Sequence, residues 1–124
     1  MHPTIDHVAL PARDPEASAR HLAGLLGVED PAPDGPDGDM FSVALGGSSV
    51  LFVQAQEVPG HHLAFRVGET DFRAVVERLA RSGVEFGNDP EELGNGETSD
   101  PLGGHGRVYF ASPDGHLFEV TIGT

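Results

Sequence analysis

Three side chains with metal-ligating chemistry stand in apolar, strand-like segments. They are His7 in Ile5-Asp6-His7-Val8-Ala9-Leu10, His62 in His61-His62-Leu63-Ala64-Phe65-Arg66-Val67, and Glu119 in Leu117-Phe118-Glu119-Val120-Thr121-Ile122. A strand alternates its faces, so His7 shares a face with Ala9, and His62 with Ala64. The apolar face must meet a helix, which leaves each histidine on the opposite side. Glu119 is a lone carboxylate in an apolar strand, and burying it without a partner is costly. Two imidazoles and one carboxylate form the set that holds a divalent ion on one face and leaves positions open for substrate or water. Ala9 and Ala64 leave room beside the histidines.

The elements that would position these groups are legible in the pattern. A strand at Ile5–Leu10 is followed by Asp14-Pro15-Glu16, an N-cap and first helical turn, with Leu22, Leu25 and Leu26 at helical spacing before Gly27. Residues 30–38 hold three prolines and two glycines and read as loop. Met40–Leu45 and Ser49–Gln54 read as a hairpin turning at Gly46-Gly47. The pattern then repeats. A strand at His61–Val67 precedes a helix capped by Thr70 or Asp71, with Phe72, Val75, Val76, Leu79 and Ala80 on one stripe and Gly83 at its end. Val84–Phe86 reads as a short strand and Gly87–Gly106 as a long polar loop. Arg107–Ala111 and Leu117–Ile122 read as strands joined by the turn Ser112-Pro113-Asp114-Gly115-His116. His7-Val8-Ala9-Leu10 matches His62-Leu63-Ala64-Phe65, and Gly27-Val28 matches Gly83-Val84. The chain therefore reads as strand–helix–strands written twice, module one at about 4–56 and module two at about 60–124.

Composition narrows the function classes. The 124 residues allow one domain or two half-modules sharing a core. Twenty acids against seven arginines give a net charge of −13, which repels nucleic-acid backbones and anionic lipid. There is no Lys and no Cys, so a side-chain Schiff base, a thiol nucleophile, an iron–sulfur cluster and a disulfide are excluded. No signal peptide or membrane-spanning run is visible, and a cytoplasmic protein is the expectation.

These segments, above all Val108-Tyr109-Phe110-Ala111-Ser112-Pro113-Asp114-Gly115-His116-Leu117-Phe118-Glu119-Val120, resemble the vicinal oxygen chelate superfamily. That superfamily includes glyoxalase I, extradiol dioxygenases, methylmalonyl-CoA epimerases, fosfomycin-resistance thiol transferases and bleomycin-resistance proteins. The resemblance covers essentially the whole chain. It implies an α+β fold of two βαβββ modules, forming an open, cupped mixed β-sheet with helices on the outside. It places His7, His62 and Glu119 on the usual ligand positions for one divalent ion (Mn, Fe, Ni, Co or Zn), and it implies a homodimer. Some members carry a fourth ligand on the first module's last strand. Here that strand offers Gln54 late in its run, a departure from the glyoxalase I and epimerase patterns that favours three protein ligands with water completing the shell and leaves Gln54 an outer ligand or substrate contact.

The C-terminal stretch through Glu119 to Gly123-Thr124 is most similar to the fosfomycin-resistance transferases, and Tyr109 matches a tyrosine they use near the phosphonate. Their cationic loop is replaced by Asn88–Gly106, which carries Asp89, Glu91, Glu92, Glu97 and Asp100 and no basic residue, a poor reader of a phosphonate dianion. That loop is either a lid or a disordered surface segment. Arg66 and Arg107 are candidates to bind a substrate carboxylate or enolate, or else pair with the surplus acids. His105 and His116 read as solvated turn residues.

The expected function is a divalent-metal-dependent enzyme acting on a small oxygen-bearing organic substrate. The metal would stabilise an oxyanion, and either a metal-bound hydroxide or Glu119, if it dissociates, would serve as catalytic base. Isomerisation, epimerisation, group transfer to an electrophile and ring cleavage with dioxygen all stay open. The alternative is a non-catalytic protein of the bleomycin-resistance type that sequesters a cationic small molecule, which the net charge suits.

Overall fold

A computed structural model describes residues 1–123; Thr124, the last residue of the stretch compared with the transferases, lies outside them. The chain is α+β and divides into two compact units, Met1–Pro59 and Gly60–Thr124.

The first unit runs β1 (His7–Ala12), α1 (Pro15–Leu26), β2 (Ala32–Asp34), β3 (Met40–Ala44) and β4 (Ser49–Gln54). Its four strands are ordered β1-β4-β3-β2, with β1 parallel to β4 and the other pairs antiparallel. The parallel pair requires a crossover, and α1 lies within it. Asp14 caps α1 by accepting from the Ala17 N–H at 3.0 Å. Gly27 ends the helix at φ +73°, a left-handed conformation that costs glycine little, and its N–H donates to the Ala23 carbonyl. Leu10, Ala12, Val43, Val50 and Phe52 form the buried side of the sheet, and Ala19, Leu22, Ala23 and Leu25 of α1 complete that core.

Two boundaries differ from the sequence reading. β1 begins at His7 rather than Ile5, because its ladder with β4 starts at the His7–Ser49 pair; Ile5 is exposed. The Pro-rich segment holds the short strand β2, which carries Pro33 at the sheet edge, where a missing N–H is tolerated.

The second unit runs β5 (His62–Val67), α2 (Glu69–Arg81), β6 (Arg107–Ala111) and β7 (Leu117–Ile122). The three strands are ordered β5-β7-β6, with β5 parallel to β7 and β6 antiparallel to it. Phe72, Val75 and Leu79 of α2 are buried, as are Phe65, Val108, Phe110, Phe118 and Val120 of the sheet. Phe118 meets Phe65 and Phe110 at ring-centroid distances of 5.9 and 5.7 Å. The α2 N-cap is Gly68, with no side-chain cap bond, rather than Thr70 or Asp71; both of those already lie inside the helix.

The expected strand at Val84–Phe86 does not form. Its place is taken by a single bridge between Gly87 and Tyr109, in which Tyr109 N–H donates to the Gly87 carbonyl at 2.7 Å. The second unit is thus one strand short of the first. Gly87 sits too close to Asn95 and to the Glu92 carbonyl to carry a Cβ, so the chain turns there into the loop instead of extending along β6.

Candidate functional site

The register of the second unit sets out its polar face as three rows. Ala111, Leu117 and His62 make one, Tyr109, Glu119 and Ala64 the next, and Arg107, Thr121 and Arg66 the third. Strand alternation puts these nine side chains on one face, and Phe65, Phe118 and Val120 on the other with the core. His62 and Glu119 stand in adjacent rows on neighbouring strands. His62 Nε2 donates to Glu119 Oε1 at 2.7 Å. The His62 side chain is 53% exposed and that of Glu119 only 7%, so this pair is approached from the imidazole side.

Glu119 is buried with a second partner. Its Oε2 accepts from Arg107 Nη1. Arg107 in turn donates from Nε to Asp100 Oδ1 at 2.9 Å and from Nη2 to Asp100 Oδ2 at 3.2 Å. The Asp100 carboxyl is held below the usual carboxylate range, chiefly by the hydrogen bond from Arg107 and next by the Leu102 backbone N–H. The Arg107 guanidinium is pushed above its ordinary value, chiefly by the same Asp100 bond. Arg107 is therefore committed to two carboxylates and is not a free anion binder. Of the alternatives open for it, pairing with the surplus acids is the one the structure realises.

Tyr109 is buried beside this pair, its ring centroid 6.2 Å from that of His62. Its hydroxyl bonds to no described residue, which leaves it available to a ligand. Arg66, in the third row, has no acidic partner among the described residues.

The loop from 88 to 106 is ordered by its own bonds. Asn95 Nδ2 donates to Asn88 Oδ1 at 3.0 Å, and Asn95 Oδ1 accepts the backbone N–H groups of Asn88 and Glu97. Arg107 N–H donates to the Thr98 carbonyl at 3.1 Å and Gly96 N–H to that of Phe86 at 2.9 Å. A disordered surface segment is not what these contacts describe.

In the first unit, His7 lies on the sheet face opposite α1, as strand alternation requires. Its Nδ1 bonds Asp6 Oδ2 at 2.8 Å, which leaves Nε2 to point elsewhere. Ligating histidines commonly hold a carboxylate on the second ring nitrogen in this way. Gln54 is not brought beside His7. It ends β4 opposite Ala12, whereas Ser49 at the start of β4 faces His7, and the parity of the strand puts Gln54 on the α1 side. Five residues of strand separate the two positions by about 16 Å.

His116 is a correction. It is 1% exposed rather than solvated. Its Nδ1 accepts the His61 N–H at 3.0 Å, and its ring meets those of His61 and Phe118. It fastens the β6–β7 turn to the start of β5 instead of facing water. His105 is exposed, as expected. Asp100 is the site residue that no sequence signal distinguished from the other four acids of its loop.

The donor chemistry of this face fits a divalent ion. An imidazole nitrogen and a carboxylate oxygen lie side by side, one of them open to solvent, and the far carboxylate oxygen is already oriented by Arg107. The second unit by itself supplies two such donors; among the described residues no group of three His, Asp or Glu side chains is gathered for metal binding within either unit.

Comparison with known proteins places these residues in context. The family profile described as "Glyoxalase/Bleomycin resistance protein/Dioxygenase superfamily" matches residues 4–120. The solved structure titled "Oxidase ChaP-H1" is 32% identical at a TM-score of 0.89, over 99% of this chain and 98% of that one. Fosfomycin resistance protein FosX of Mesorhizobium japonicum is 26% identical, over 97% of this chain and 86% of its own length. Glutathione transferase FosA of Serratia marcescens is also 26% identical, over 100% of this chain and 84% of its own. The chain belongs to the Glyoxalase/Bleomycin resistance protein/Dioxygenase superfamily.

Proposed function

We propose that the protein is a divalent-metal-dependent enzyme whose chemistry is of the oxidase type, acting on a small oxygen-bearing organic substrate. The observation that carries this is the His62–Glu119 pair, two metal-ligating groups at 2.7 Å on an open sheet face. His62 and Glu119 would be ligands, with His7 as the third, because it occupies in the first module the position that His62 occupies in the second. A bound divalent ion supplies positive charge to substrate oxygens as negative charge develops on them.

The chain's own residues do the rest. Arg107 fixes the Glu119 carboxylate by one oxygen and so leaves the other directed toward His62. The Tyr109 hydroxyl donates a hydrogen bond to a substrate oxygen. Glu119 would be the carboxylate placed to accept a proton from a substrate at this face. The oxidase assignment is favoured over phosphonate chemistry by two features. The oxidase relative is 32% identical against 26% for each fosfomycin-resistance relative, and the loop from 88 to 106 carries five acids and neither Lys nor Arg.

Elemental analysis of untagged protein purified without chelator tests this reading. One divalent ion per chain is expected, lost in His7→Ala, His62→Ala and Glu119→Ala. Metal-free wild-type protein that takes up no Mn²⁺, Fe²⁺ or Zn²⁺ would overturn it. The net charge of −13 favours a second reading, a non-catalytic protein that sequesters a cationic small molecule. Thermal stabilisation by a cationic antibiotic without any metal would select it.

A further inference from the structure

We infer that the third row of the second unit's polar face is a recognition site for the carboxylate of an organic monoanion, with Arg66 as its anchor. Resting on the metal-enzyme reading, this assigns the substrate an acidic end, held one strand row from Glu119 and two from His62.

Arg66 is the starting point. The chain has twenty acids and seven arginines, so an arginine without an acidic partner is against the odds. Arg20, Arg73 and Arg81 each pair with a glutamate one helical turn away, and Arg107 holds two carboxylates. Arg66 bonds to none of the described residues. Its register partner Thr121 lies beside it on β7, and the Thr121 hydroxyl is also without a described partner.

Both face a cleft of about 380 Å³ whose walls include Leu102, Gly104, Ile122 and Gly123. Asp100 is the acid on this wall, and both of its oxygens are turned onto Arg107. The cleft is shaped around the guanidinium. A Cβ on Gly123 would come within 2.8 Å of Arg66 Cδ, so glycine there lets the arginine stem lie flat against the backbone. Leu102, 77% exposed, stands at the rim as an apolar contact.

A planar guanidinium with a neighbouring hydroxyl suits a carboxylate, which accepts in a bidentate manner. The overall charge of −13 disfavours a phosphate dianion, and the single positive charge of Arg66 balances one negative charge. The apolar rim suits a hydrocarbon or aromatic body behind the carboxylate.

Benzoate is the probe, with benzyl alcohol as its neutral counterpart, read by amide chemical shifts in ¹⁵N-labelled protein without added metal. Saturable benzoate shifts are expected at Gly103, Gly104 and Gly123, with none from benzyl alcohol. Arg66→Met should weaken apparent benzoate affinity by about tenfold or more, the worth of a charge-assisted hydrogen bond. Gly123→Ala should weaken it by displacing the arginine, and Arg73→Met, on the far side of α2, should leave it unchanged. The dispersion of the amide spectrum reports folding in each variant. Equal shifts from the two probes, or full benzoate affinity in Arg66→Met, would overturn the assignment. His62→Ala should keep the benzoate shifts, so failure of the metal reading and failure of this site give different results.

Discussion

Arg107 and Glu119 are not register partners. Arg107 lies opposite Thr121 on β7 and reaches back one row to Glu119 Oε2, while its other nitrogens hold Asp100. This diagonal ties the loop from 88 to 106 to the carboxylate proposed as a ligand. The loop's end and the site's geometry are therefore one unit of structure, set by one guanidinium.

Arg107→Met tests that coupling. It leaves the Glu119 carboxylate, 7% exposed, with a single partner at His62. A hydrogen bond to a charged group contributes about 1.5–3 kcal/mol, and the variant should lose stability in that range by urea unfolding. Arg107→Lys keeps the charge without the planar fork and should recover only part. If both variants unfold at the wild-type midpoint, the tie is not structural.

The Asp100–Arg107 bond makes stability depend on pH at the acid end. Asp100 has its carboxyl depressed in the folded chain, first by Arg107 and then by the Leu102 N–H. The ionised form is therefore the one that stabilises the fold. Its contribution is fully present above the unfolded value of about 3.9 and is lost as pH falls through the lower folded value. Asp100→Asn should flatten the midpoint-against-pH curve below about pH 4, and an unchanged acid limb in that variant would contradict the assignment.

How much of this was legible in the sequence depends on whether the determinant was local. The cap at Asp14, the stop at Gly27 and the apolar stripe Phe72, Val75, Leu79 are local patterns, and the structure realises each. So is strand alternation, which put His62 and Glu119 on one face, where they meet at 2.7 Å. What was not legible depends on contacts made by loops. Asp100 is one acid among five in its segment, and only the path of the loop brings it to Arg107. His116 follows Pro-Asp-Gly, a composition that signals an exposed turn. Its burial goes with the bond from the N–H of His61, 55 residues earlier and just before β5. The strand expected at Val84–Phe86 has the right residues, but the crowding at Gly87 turns the chain away after one bridge.

Gly106 gives a packing prediction. A Cβ there would lie 2.7 Å from Ile122 Cδ1 and 3.0 Å from Phe72 Cε2. The backbone thus passes directly between α2 and the end of β7, immediately before Arg107. The Ile122 methyl is a side-chain end that can shift, but the Phe72 ring is buried in the core and cannot move away freely. Gly106→Ala should cost about 1–3 kcal/mol through overpacking. Phe72→Leu, which shortens the facing ring, should recover part of that loss in the double variant. Additive losses in the two substitutions would mean that they do not share the contact.

His21 gives a prediction in the first unit, remote in sequence from any proposed ligand. It sits on α1, and its Nδ1 is buried without a hydrogen-bond partner. Burial pushes the imidazole below its ordinary value, so the folded chain favours the neutral ring. The unfolded chain binds the proton more readily, and stability must fall as pH drops from about 6.5 through the lower folded value. His21→Leu removes both the orphan nitrogen and the titration. The variant should match or exceed wild-type stability at pH 5 and should lose the slope between pH 6.5 and 5, measured by urea unfolding at each pH. A wild-type slope retained in His21→Leu would assign that pH dependence to another histidine.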